Sequence, residues 1–253
     1  MTPYLPKLPK AAKRLHQYIA EDRVIRGAWT DQDKHGRKRA CLLAALSPVT
    51  GVRHAASACP ATILPTWLAF LTPRLDDNGT LKAWPAMVRD YARLVETSTA
   101  LDAAAWHRLE YRLRLIALHE AAAHTNDRFA LQIAVDAMAL CQQVIEGVDV
   151  GELAAKATQI YQLLPLKLSF PVTLGAARYA VMPLATLVSV PNTPARRHTS
   201  IDSAGHAALC AADAAEEADA TVWASNRAWD RMTAAFFESW QDEIDNVSLA
   251  EAA

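Results

Sequence analysis

Glycine is scarce in this chain. Only 8 of 253 residues are glycine, about half the usual ~7%. Sandwiches, propellers and dinucleotide-binding α/β sheets depend on glycine at their turns and phosphate loops, so all three are disfavoured. Alanine, leucine and other strong helix formers take its place. The expected fold is therefore mainly α, a multi-helix bundle. With 52% hydrophobic and 21% charged residues the chain is too apolar to remain disordered.

The prolines mark where long helices can run. They stand between positions 3 and 85 and between 165 and 194, with none from 86 to 164 and none after 194. A proline costs ~3 kcal/mol inside a helix, so the two free stretches should hold the longest elements. In the first, Asp102 can cap a helix with Trp106, Leu109, Leu113 and Ile116 on one stripe. Asn126 can cap the next, which carries Phe129, Ile133, Leu140 and Val144 on one face and Leu131, Val135, Met138 and Ile145 on others. Apolar all round, it reads as the buried central element. Asp149 opens a third helix that stops before Pro165. The short loop before it makes a long antiparallel helix pair the centre of the bundle.

The flanks are less regular. Residues 1–10 read as an extended, proline-spaced basic arm, followed by a short helix over 11–22. The stretches 24–30 and 37–43 flank the polar loop around Gly36 and suit one short β-hairpin, although the second arm equally suits a helix opening through Leu46. Leu64–Leu71 is a short helix, Asp76-Asp77-Asn78-Gly79 a turn, and a helix begins between Leu81 and Trp84. Residues 166–190 are apolar but carry Lys167, Arg178 and Pro183, so they read as buried, proline-broken helix and not as a membrane span. One or two further helices run to about Asn246. The expected organisation is a basic N-terminal arm with hairpin (1–47), a helical core (48–190) and an acidic, Ala/Trp-rich helical tail (196–253) packed on the core or on a partner. That tail is similar in composition to proteins encoded by phages and mobile elements, a likeness that transfers no function.

The net charge of −1 conceals a polarity. Residues 1–54 carry 11 Lys/Arg against 4 Asp/Glu, and residues 201–253 carry 2 against 11. Either the two ends attract each other, within the chain or between subunits, or the basic end serves an acidic partner or nucleic acid. Cys41, Cys59, Cys141 and Cys210 are dispersed without any CxxC pair, which reads as reduced thiols in the cytoplasm. The N-terminus has no apolar run of signal-peptide length.

No glycine-rich phosphate loop, GxSxG, HExxH or kinase signature is present. In Leu118-His-Glu-Ala-Ala-Ala-His124 the histidines are five apart, about 140° around a helix, and cannot share an ion. Glu120 and His124, four apart, read as a surface pair. His206, Cys210, Asp213 and Glu217 fall within roughly 60° of one helix face. They are candidate metal ligands, with His119, His124 or His198 completing a set. Cys210 with His206, Cys59 with His54, and Ser200 or Ser203 with His198 and Asp202 are the nucleophile–base pairings that proximity allows. Lys34, Arg37, Lys38 and Arg39, with Arg26 and Trp29 on the facing arm, form the densest basic cluster and a candidate site for acidic protein or nucleic acid. Trp229, Phe236 and Trp240 form a heavy stripe that is core or interface. No cofactor and no membrane is implied. The function expected first is a non-catalytic module binding a protein partner or itself, such as an adaptor, inhibitor or immunity-type protein. The alternatives are a helical enzyme using a metal at the His206 stripe, and nucleic-acid binding through the basic arm.

Overall fold

The first helix begins three residues earlier than spacing suggests. Pro9 sits in the first turn, where its missing N–H costs nothing, and α1 spans Leu8–Ala20. Leu5 and Leu8 are buried beneath it, so the end of the expected extended arm is already helix and core. The computed structural model describes residues 4–164, 171–189 and 202–252. Among them are eleven α-helices and one two-stranded antiparallel sheet. None of these helices is long and apolar enough to cross a membrane. The chain divides into two compact units, residues 1–106 with 237–253, and residues 107–236.

In the first unit, β1 (Thr30–Gln32) pairs with β2 (Lys38–Ala40), Asp31 opposite Arg39. The buried α2 (Leu42–Leu46) follows directly, so the second arm supplies both a strand and a helix opening. The short α3 (Pro48–Arg53) ends at His54 in the left-handed region. Then come α4 (Thr66–Asp77) and α5 (Trp84–Thr97), the latter with Pro85 in its first turn. Helix α1 packs on α2 and α5.

Asp76 corrects the reading of residues 76–79. It lies inside α4 and is fully buried. Its Oδ2 accepts from Leu42 N–H at 3.0 Å, and its Oδ1 accepts from Trp84 Nε1–H at 2.9 Å. One carboxyl thus caps α2, whose own N-cap residue Cys41 makes no side-chain capping bond, and ties α4 to α5. Burial raises its pKa from 3.8 to about 6, against the lowering effect of the two donors. Because the folded value is the higher one, folding favours the protonated form. Asp76's contribution is greatest below pH 3.8, falls between pH 3.8 and 6, and is level above that. A rise from 3.8 to about 6 corresponds to about 3 kcal/mol. Asp76→Asn removes the titration. Urea unfolding of both proteins from pH 4 to 7 should therefore show the stability gap between wild type and variant narrowing as pH rises. A gap independent of pH would refute this.

The second unit contains residues 107–123 of α6 (Ala103–Ala123), then α7 (Arg128–Ile145), α8 (Val150–Leu163), α9 (Val172–Ser189), α10 (Ser203–Asp219) and the first half of α11 (Val222–Ala252). Asp102 caps α6 as expected, accepting from Ala105 N–H at 2.7 Å. The cap of α7 is Asp127 and not Asn126: its carboxylate accepts from Ala130 N–H at 2.9 Å. Asp149 caps α8 through Gly151 N–H. Helices α7 and α8 pack together across their short loop, but the centre belongs to α9, which packs against α7, α8 and α10. Ala176, Ala177, Ala180 and Ala185 are among its buried positions, which permits close approach.

At Gly175 the α9 backbone lies close against a side chain of α10. A Cβ built there would lie 2.9 Å from Cys210 Sγ. Gly175→Ala should therefore destabilise the protein by about 1–3 kcal/mol through overpacking, and Cys210→Ala should recover most of that loss. A double-mutant cycle in urea measures the coupling, and additive effects would show that the two positions do not touch.

Candidate interaction surface

The basic cluster forms on the hairpin, but much of its charge is spent locally. Asp33 accepts from the backbone N–H of His35 and Arg37 and from Arg37 Nε, at 2.7–2.9 Å. These donors hold its carboxyl down at about 2. Gly36, at φ +73°, completes the turn. Arg39 forks onto Asp31, its cross-strand neighbour. Arg26 donates to the carbonyls of Asp77 and Gly79, and Trp29 is half-buried. So Arg26, Arg37 and Arg39 shape the loop, while Lys34 and Lys38 stand exposed.

The aromatic stripe is a core feature. Of the two readings left open for the stripe, core or interface, the burial of Trp229, Phe236 and Trp240 fits core. Trp240 packs edge-on against Trp106 and Tyr91, with ring centroids 5.4 and 6.0 Å apart, and its Nε1–H donates to Ser98 Oγ.

The four stripe residues of α10 do not assemble as ligands. His206 Nδ1 lies 3.2 Å from Asp202 Oδ2, and its ring stacks on Tyr179 at 4.8 Å. Cys210 is turned onto Gly175, and Asp213 and Glu217 are exposed. Among the described residues, no three His, Cys, Asp or Glu side chains are placed to hold a metal ion. His198 and Ser200 lie outside those residues. Glu120 receives both His124 and Arg231, as a surface pair would. Burial pushes the thiols of Cys41 and Cys59 up to about 11 and that of Cys141 to about 12, away from the thiolate a nucleophile requires. Ser203 Oγ accepts from Arg114, within the core of its unit.

The surface that stands out is the outer side of α7, which periodicity places in the interior. Helix α7 buries Ile133, Ala134, Ala137, Leu140, Cys141 and Val144 along one face. At 100° per residue the opposite face carries Leu131, Val135 and Ala139, with Met138 at its margin. Leu131 is 42% exposed and Val135 48%, and Phe129, at the start of the helix, is 50% exposed. This corrects the expectation of all-round burial: α9 occupies the central place, and α7 keeps an apolar outer side. A second exposed aromatic, Trp223, 68% accessible at the start of α11, was also not singled out by sequence spacing. Comparison with known proteins adds no relative: no family model matches the chain, and no curated protein or solved structure is significantly similar to it.

Proposed function

We propose that this chain is a non-catalytic protein-interaction module that works through the outer face of α7. The observation that carries the reading is the exposure of Leu131 and Val135 on adjacent turns of one helix, where polar residues would serve a solvated surface better. Contiguous exposed apolar surface of this kind marks binding faces in folded proteins. The rim fits that use: Gln132 donates to Asp136 and Gln142 to Glu146, so the polar groups beside the stripe are already satisfied and ordered.

A photo-crosslinking amino acid at Ala139, introduced into the full chain in its native cell, tests this directly. The expected result is a discrete protein adduct that disappears in the Val135→Glu background and is absent when the probe stands at exposed Arg89. Val135→Glu is a surface change and should alter stability by less than about 0.5 kcal/mol, which a thermal melt checks. Adducts of equal yield from both probe positions, or none from Ala139, would overturn the reading.

A further inference from the structure

The charges at the two ends of the α7 face say what it pairs with. Arg128 and Glu146 are both exposed. They are 18 residues apart, five helical turns, so they point the same way from positions about 27 Å apart. Between them run Leu131, Val135 and Ala139, and the midpoint of the whole pattern is residue 137. Gln142 Nε2–H holds the Glu146 carboxylate at 2.8 Å on this face.

We infer that this face binds a second copy of the same chain, with the two α7 helices antiparallel across a two-fold axis near residue 137. The inference rests on the reading of α7 as the working surface. In that arrangement Arg128 of each copy meets Glu146 of the other, so one residue pair makes two reciprocal ion pairs. Val135 comes opposite Ala139 on either side of the axis, a large residue against a small one, which lets the helix axes approach to the usual 8–10 Å. Gln132 comes opposite Gln142. A parallel pairing would instead set Arg128 against Arg128 and Glu146 against Glu146. The pattern is therefore self-complementary in one orientation only, a property that an unrelated partner would not require. A seam one helix long falls at the small end of specific interfaces, so the dimer should be weak, with a Kd on the order of micromolar.

Sedimentation velocity of the purified full chain, from ~1 µM to ~500 µM to bracket that affinity, should show a reversible monomer–dimer equilibrium. Val135→Glu should abolish it. Arg128→Glu alone and Glu146→Arg alone should each weaken it roughly tenfold, because each creates two like-charge contacts per dimer. The double swap Arg128→Glu/Glu146→Arg should restore the wild-type affinity to within about twofold, since it rebuilds both pairs reversed. A monomer across the whole range, or a dimer that ignores Val135→Glu, or a swap that fails to restore, overturns the self-pairing. The two readings fail differently. An Ala139 adduct containing another protein, beside a strictly monomeric purified chain, removes self-pairing and leaves α7 as the working surface, whereas no adduct at Ala139 removes both.

Discussion

Trp240→Ala is expected to cost about 3–5 kcal/mol of folding stability, the range for truncating a buried tryptophan. Its side chain is fully buried against Tyr91, Trp106 and Phe237, with ring centroids 5.4–6.3 Å apart. Edge-to-face contacts of this kind add to the transfer energy of so large a side chain. Its indole N–H donates to Ser98 Oγ at 2.7 Å, and Ser98 in turn donates to the carbonyl of Leu94. Alanine would leave both a cavity and a buried hydroxyl without its donor. Trp240→Phe largely separates the two losses: it keeps most of the side-chain volume, removes the N–H with the smaller ring, and should cost about 1–3 kcal/mol. Urea unfolding followed by far-UV circular dichroism orders the three proteins. If alanine proved no worse than phenylalanine, packing would not be what holds this residue. The result also bears on function, because loss of a complex in Trp240→Ala would report the fold and not a contact surface.

That stripe shows where sequence reasoning stops. Spacing at i, i+3, i+7 and i+11 places Trp229, Met232, Phe236 and Trp240 on one side of a helix. It does not say whether that side faces the chain's own core or a partner, and here all four are buried. The caps at Asp102 and Asp149 and the α7–α8 pair were legible because capping and periodicity are local. Asn126 and Asp127 are both good cap residues one position apart, and spacing alone does not separate them. The outer face of α7 was hidden for another reason. A helix with apolar residues on several faces looks central, yet the centre belongs to α9, whose apolar run is interrupted by Arg178 and Pro183 and whose alanines permit close approach. Asp76 was read as part of a turn because its partners, Leu42 N–H and Trp84, lie 34 and 8 residues away and belong to other elements. The local charge pairing is legible in the hairpin itself: with the turn at Gly36, the register places Asp31 opposite Arg39 and so discounts the basic cluster.

Arg114→Ala should destabilise the protein by about 3–5 kcal/mol, as removal of one partner from a buried ion pair does. The arginine is fully buried in the second unit, on α6. Its guanidinium pairs with Glu110 one turn earlier, donates to the carbonyl of Tyr179 on α9 and to Ser203 Oγ at the start of α10, both at 2.9 Å, and lies 5.3 Å from the Tyr111 ring centroid. One side chain therefore bonds α6 to both α9 and α10. Most of the loss on truncation comes from the groups left behind, above all the Glu110 carboxylate, which is mostly buried and would have no counter-charge. Hence Arg114→Met alone, which keeps the volume, should remain destabilising by more than about 2 kcal/mol, whereas Glu110→Gln/Arg114→Met should recover a large part of that deficit by removing the stranded charge. A urea series on the wild type, both single substitutions at Arg114 and the double variant decides the matter. If the double variant were no more stable than Arg114→Met, the weight of this residue would lie in its bonds to Tyr179 and Ser203 and not in the ion pair.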